Sequence, residues 1–265
     1  MALITYGAGI IANPNIGKVI VSNDELPPWL GRCNPKNNIN SLIDISGAGS
    51  TFGITPETGT IVTFDSEGAF VTRTRGIVTN ILAPDNVSIY AAYKLGDLTY
   101  ANIAAWPFND GSQSTYAGYG TALYELAPRA SVAAQYATGY IYYDANSGNG
   151  RYTLQNSEAA ANVMLGDWVF RMLSIDAANY AITLYTGYKD KLYKTVTQSA
   201  RDLTLRNKTQ PIRFGFAPNS ASIPGATSSL RMAECGVLDG ACNDKQAAKI
   251  FTEVRALQAP FGITF

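Results

Sequence analysis

Histidine is absent from this 265-residue chain. Without an imidazole, a serine or cysteine triad of the usual kind cannot be assembled, and a histidine-ligated zinc or iron site is excluded. Charge is scarce as well: Asp, Glu, Lys and Arg make up 15% of the residues, and 20 basic side chains balance 20 acidic ones. A chain with no basic surplus has little with which to neutralise a phosphate backbone, so nucleic acid is not an expected partner. The three cysteines, Cys33, Cys235 and Cys242, fall in no metal-ligand spacing and leave one over if two pair. Free thiols in a protein made in a reducing compartment are the expected state, with a local Cys235–Cys242 disulfide as the secondary reading. Neither a metal nor another cofactor is expected.

Long apolar runs are missing too. The opening MALITYGAGIIANPNIGKVIV has no Lys or Arg before Lys18, and Gly7, Gly9, Asn13 and Pro14 interrupt its apolar residues. It reads as neither a signal peptide nor a membrane span, and no later stretch reaches about 18 uninterrupted apolar residues. Secretion by the usual route and membrane insertion are therefore not expected.

What the chain has in place of these is β-forming sequence. TIVTF, AFVTRT and VSIYAAYKL are rich in β-branched and aromatic residues. Strands around Tyr140–Tyr143 and Tyr152–Gln155 flank a Gly- and Asn-rich loop, and a meander follows from Gly166 with turns at 176–179 and 187–190. One helix interrupts the pattern. Asn243 is a good N-cap, Gln246 completes a capping box, and Asp244 sets a negative charge at the positive helix end. Ala247, Ile250, Phe251, Val254 and Leu257 then recur on one face, which leaves Lys245, Lys249 and Glu253 for water. Residues 1–40, with Pro27, Pro28 and Trp29, read as an extended N-terminal arm. As an assembly element it would dock on a neighbour, although for Trp29 itself covering the sandwich core is favoured over serving as a docking anchor.

The order of these pieces resembles laminin G-like domains of the concanavalin A-like fold. Leu42, Asp44, Ser46 and Gly47 match the short opening of such domains; Trp168, Gly187 and the strand Lys191–Thr197 match their middle series; Ile212, Phe214, Gly215 and Phe216 match the strand before the last one. The final strand, acidic turn and capped helix complete a likeness that runs from about residue 41 to 257. Taken alone, Asp44, Ser46 and Gly47 are also what an Asx or Ser turn requires. The resemblance implies an all-β, two-sheet antiparallel jelly-roll sandwich over residues 41–265, closed by one short C-terminal helix.

A fold of this kind hosts glucanases, lectins and structural domains. Retaining glucanases need two glutamates on alternate residues of one strand, about 5 Å apart. The seven glutamates here (Glu25, Glu57, Glu67, Glu125, Glu158, Glu234 and Glu253) include no two that are two or four residues apart, so no enzyme is expected. A glycan site would need exposed aromatics beside polar loops, and the candidates are Trp106, Tyr116, Tyr119, Tyr143, Asp144 and Asn146. Asp144, Asn146 and Asn149 partly suit calcium but lack an acidic closing ligand, and a turn-forming loop is the favoured reading. The resemblance, which extends to laminin G-like domains of phage, implies a non-enzymatic structural protein of a tailed-bacteriophage virion, a capsid decoration or a tail or fibre component, made in the host cytoplasm. It would be a homo-oligomer contacting other virion proteins, with glycan adhesion as a second capacity. The alternatives are a carbohydrate-binding module and a calcium-dependent adhesin domain.

Overall fold

The computed structural model describes residues 3–6, 9–12, 26–56, 62–72, 75–95, 105–109, 121–126, 137–142, 150–152, 163, 166–198, 202–206, 208, 210–215 and 229–265. Among the described residues, strands β1 (Leu3–Tyr6) and β2 (Gly9–Ala12) pair with each other alone. The sandwich is built from β3 (Trp29–Cys33), β4 (Phe52–Pro56), β5 (Thr63–Phe64), β6 (Ala69–Thr72), β7 (Arg75–Leu82), β8 (Val87–Leu95), β9 (Ala105–Asn109), β10 (Thr121–Leu126), β11 (Ala137–Tyr142), β12 (Gly150–Tyr152), β13 (Trp168–Asp176), β14 (Ala181–Tyr188), β15 (Lys191–Gln198), β16 (Pro211–Phe214) and β17 (Ser229–Leu238). Helix α1 (Asp244–Gln258) follows.

Every pairing is antiparallel among the described residues. The front layer runs β15-β14-β13-β8-β17, and the far edge of β17 is shared between β6 and β3. The back layer runs β4-β7-β16-β9-β10-β11-β12. The layers are continuous through β6 and β7, which meet only at Thr72 and Arg75, so the sheet folds over at that corner. Alternation then sorts the side chains. Val87, Ile89, Ala91 and Tyr93 of β8, Val169, Leu173 and Ile175 of β13, and Leu230, Met232, Cys235 and Val237 of β17 face a core completed by Ile77, Ile81, Ile212 and Phe214 of the back layer.

The front layer is covered on its outer face as well. Tyr90, Ala92, Phe170, Met172 and Tyr185 pack there against Ala247, Ile250, Phe251 and Val254 of α1. This double cover explains why β13 is buried at eight consecutive residues and its sequence does not alternate. The capping box forms as expected, with Asn243 Oδ1 accepting from Gln246 N–H at 3.1 Å and Gln246 Oε1 from Asn243 N–H at 2.9 Å. Gly187 is not a turn residue. It lies inside β14, where an added Cβ would come within 2.2 Å of the Phe251 ring, and the tight turn falls instead at Lys189 and Asp190, both with positive φ.

Two expectations are revised by the outer face. Trp29–Cys33 is a strand paired with β17, so the sandwich includes chain well before residue 41. Trp29 is half-buried, its ring 6.0 Å from that of Tyr90; the Pro28 carbonyl accepts from Asp239 N–H at 2.8 Å, and Pro27 sits against Gly240. These residues cover their own core, because an indole beside the apolar end of the sheet loses more water contact there than in an extended arm. Glu253 is the second. It is 7% exposed and meets Arg32 at 3.3 Å, where the helical pattern left it for water. Asp44 acts as the turn reading requires, accepting from Arg32 N–H, Ser46 N–H, Ser46 O–H and Ser50 N–H.

Arg32 belongs to a buried polar network under α1. A bulge between Met232 and Glu234 turns both Ala233 and Glu234 towards the helix side. Glu234, fully buried, accepts from Arg32 Nε at 2.7 Å, Tyr90 O–H at 2.9 Å and Gln258 Nε2 at 2.7 Å. Nearby, the Lys36 ammonium donates to the Glu67 carbonyl at 2.5 Å and lies 4.8 Å from the centre of the Phe261 ring. Burial lowers the Lys36 pKa to about 7, against the opposing pull of Glu234 and Asp65.

Phe251, 4% exposed and 5.4 Å from the Phe170 ring, closes this layer. Phe251→Ala should cost about 3–5 kcal/mol in urea unfolding; a loss below about 1 kcal/mol would make the helix peripheral. Lys36 sets a pH trend of unusual sign. The unfolded lysine keeps its proton to about pH 10.4, whereas the folded one releases it near 7, so the unfolded state binds more protons between these values and stability rises with pH. Urea unfolding should show a gain of about 1–2 kcal/mol from pH 7 to 8.5 that Lys36→Met abolishes.

Candidate functional site

Helix α1 leaves part of the outer face open beyond its N-terminal end. A groove of about 600 Å³ lies there, floored by three neighbouring strands and walled by the chain entering the helix. Sheet register supplies its rows: Ser174 of β13, Thr183 of β14 and Val196 of β15 lie side by side, Tyr185 is beside Lys194, and Asp176 is beside Ala181. Ala241, Cys242 and Asn243, with Asp244 and Lys245 of the first helical turn, form the wall.

The wall is pinned by side chains that rise from the sheet. Ser88 Oγ donates to the Gly240 carbonyl at 2.9 Å and accepts from Cys242 N–H at 2.9 Å, and Ser174 Oγ donates to the Cys242 carbonyl at 3.0 Å. The Tyr185 hydroxyl lies 3.0 Å from Asp244 Oδ1 and 3.3 Å from the Cys242 carbonyl. Burial and then the bond to Asp244 push its pKa well up, so it stays a donor at any physiological pH. At the mouth Lys194 meets Asp244 Oδ2 at 2.5 Å. The hydrogen bond from Lys194 holds the Asp244 carboxyl below its ordinary pKa. Both partners are more than half exposed, so the pair contributes under about 1 kcal/mol and a ligand could displace it at small cost.

The groove therefore presents ammonium groups, carboxylates, an amide and a hydroxyl over a floor with small apolar patches at Ala181 and Val196. This is chemistry for holding a polar ligand. Cys242 offers no nucleophile, because burial pushes its thiol up to about 11. Among the described residues, no group of three or more Cys, Asp and Glu side chains is placed to share a metal ion.

Of the glycan-site candidates read from the sequence, Trp106 alone falls among the described residues. Trp106 lies in β9 of the back layer, near a register break against β10. Tyr116, Tyr119, Tyr143, Asp144 and Asn146 lie outside the described residues. The groove residues carry no sequence signal of their own: Asp176 resembles a turn residue, and Lys194 resembles an ordinary strand lysine.

Neither a family model nor a curated protein matches the chain. Solved structures do. The receptor-binding domain of botulinum neurotoxin mosaic serotype C/D, with a tetraethylene glycol molecule on its Hcn sub-domain, superposes with a TM-score of 0.58 at 16% identity, over 85% of this chain and 50% of that one. The botulinum neurotoxin serotype D binding domain gives 0.58 at 15% identity, over 85% and 51%. The serotype D ligand-binding domain in complex with N-acetylneuraminic acid gives 0.56 at 14% identity, over 85% and 50%. The likeness is one of fold. The chain spans about half the length of these domains and shares their β-sandwich.

Proposed function

We propose that this chain is a non-catalytic recognition domain whose groove at the N-terminal end of α1 binds a glycan. One observation carries the reading: an open groove of about 600 Å³ in which donors and acceptors from three strands and a pinned loop converge without a nucleophile or a metal-ligand cluster among the described residues. The receptor-binding roles of the structural neighbours support recognition over catalysis, and the N-acetylneuraminic acid held by one of them supports a glycan as the first class to test. The carbohydrate-binding alternative thus moves ahead of the virion structural role, for which the fold and its neighbours supply no observation.

The expected strength follows from the lining. Four or so direct hydrogen bonds at a net ~1 kcal/mol each, with no exposed aromatic among the described lining residues, support a monovalent Kd of about 1 mM. Saturation-transfer NMR with free glycans, N-acetylneuraminic acid among them, suits that range. At least one sugar should show transfer that Asp176→Ala and Lys194→Ala each remove while thermal unfolding stays unchanged. Transfer that survives both substitutions would place the ligand elsewhere, and no transfer from any sugar on a broad panel would overturn the glycan reading.

A further inference from the structure

Cys33 and Cys235 stand directly opposite one another across β3 and β17, both fully buried in the core between the layers. Their side chains belong to the same buried cluster. The neighbouring Arg32 fixes which kind of pair this is. Its N–H donates to Asp44 at 3.0 Å and its carbonyl accepts from Ile45 N–H at 2.8 Å, so its backbone polar groups turn away from β17. By alternation the next residue, Cys33, turns its own towards β17, which makes Cys33 and Cys235 a hydrogen-bonded antiparallel pair with Cα atoms about 5.5 Å apart. That separation falls within the range a disulfide spans, about 4.4–6.8 Å. Cys242, the partner that sequence proximity offers, belongs to the cluster on the opposite face of the front layer and cannot reach Cys235 through the sheet.

We infer that Cys33 and Cys235 are a cross-strand dithiol that closes to a disulfide when the chain folds in the presence of a small disulfide oxidant such as oxidised glutathione. The thiolate of one cysteine attacks the oxidant and releases one thiol; the second cysteine then attacks the mixed disulfide, forming the Cys33 Sγ–Cys235 Sγ bond and releasing the other thiol. Two electrons pass to the oxidant's disulfide, and the two cysteine protons end on its two thiols. Both sulfurs are closed off in the folded protein, and burial raises the Cys235 thiol pKa, so folding is the stage at which the exchange runs. The bond joins residues at opposite ends of the sequence and lies one residue from both Arg32 and Glu234. It would staple the first strand of the sandwich to its last, closing about three-quarters of the 265-residue chain into one loop in the unfolded state.

The test uses the full chain carrying Cys242→Ser, refolded once with oxidised glutathione and once with a reductant, then alkylated under denaturing conditions and weighed. The oxidised sample should be two hydrogens lighter than the unalkylated dithiol, accept no alkyl group, and melt about 5 °C or more above the reduced one. The Cys33→Ser, Cys242→Ser double variant should form no internal bond and show no such shift. Peptide mapping of the unsubstituted chain after the same refolding covers the case in which a variant folds poorly, and should return the Cys33–Cys235 cross-link. Two alkylatable thiols in the correctly refolded protein, or a cross-link that uses Cys242, would overturn the inference.

Discussion

Glu234 is a carboxylate with no exposure to solvent, set among aromatic and aliphatic side chains. A charge in such a place must be compensated, since the penalty for leaving one buried and unpaired is several kcal/mol. Arg32, Tyr90 and Gln258 provide the compensation, and they come from β3, β8 and the last turn of α1. One acidic group thereby fixes where the first strand of the sandwich, its central strand and its helix meet. Apolar packing around Phe251 is non-directional and would tolerate a helix shifted along the sheet. The ion network does not tolerate that shift.

Positioning the helix also defines what stays open. With Gln258 held at Glu234, the N-terminal end of α1 falls over β13–β15, where Ser174 and Tyr185, with Ser88 of neighbouring β8, pin the entering loop. The rest of those strands is left as the floor of the groove. Buried charge at one end of the helix and a polar recess at the other are thus linked by a rigid element of fifteen residues, about 22 Å long. The proposed binding site is a consequence of how the sandwich is closed.

The elements that sequence shows clearly are those with local rules. The Asn243 cap, the apolar stripe of α1 and strands such as VSIYAAYKL depend on neighbours within a few residues, and they appear where expected. What fails depends on distant partners. Glu253 looks like a solvent-facing residue until Arg32, 221 positions away, is placed beside it. Gly187 looks like a turn glycine until the Phe251 ring occupies the space of its missing Cβ. Trp29–Cys33 looks like an arm because Pro27 and Pro28 precede it, yet pairing with β17 makes it a strand. The groove was the least legible part, because its floor comes from sheet register and its residue types are common to any β-sandwich surface.

A double-mutant cycle on Arg32 and Glu234 tests most directly whether this network organises the closure. Urea unfolding would be measured for Arg32→Met, Glu234→Leu and the pair together. Each single change should cost about 3–5 kcal/mol by leaving a charge unpaired, and the double variant should lose at least ~2 kcal/mol less than their sum. Losses that add to within about 0.5 kcal/mol would show that the two charges are not coupled, and would contradict the network's role in setting the helix on the sheet.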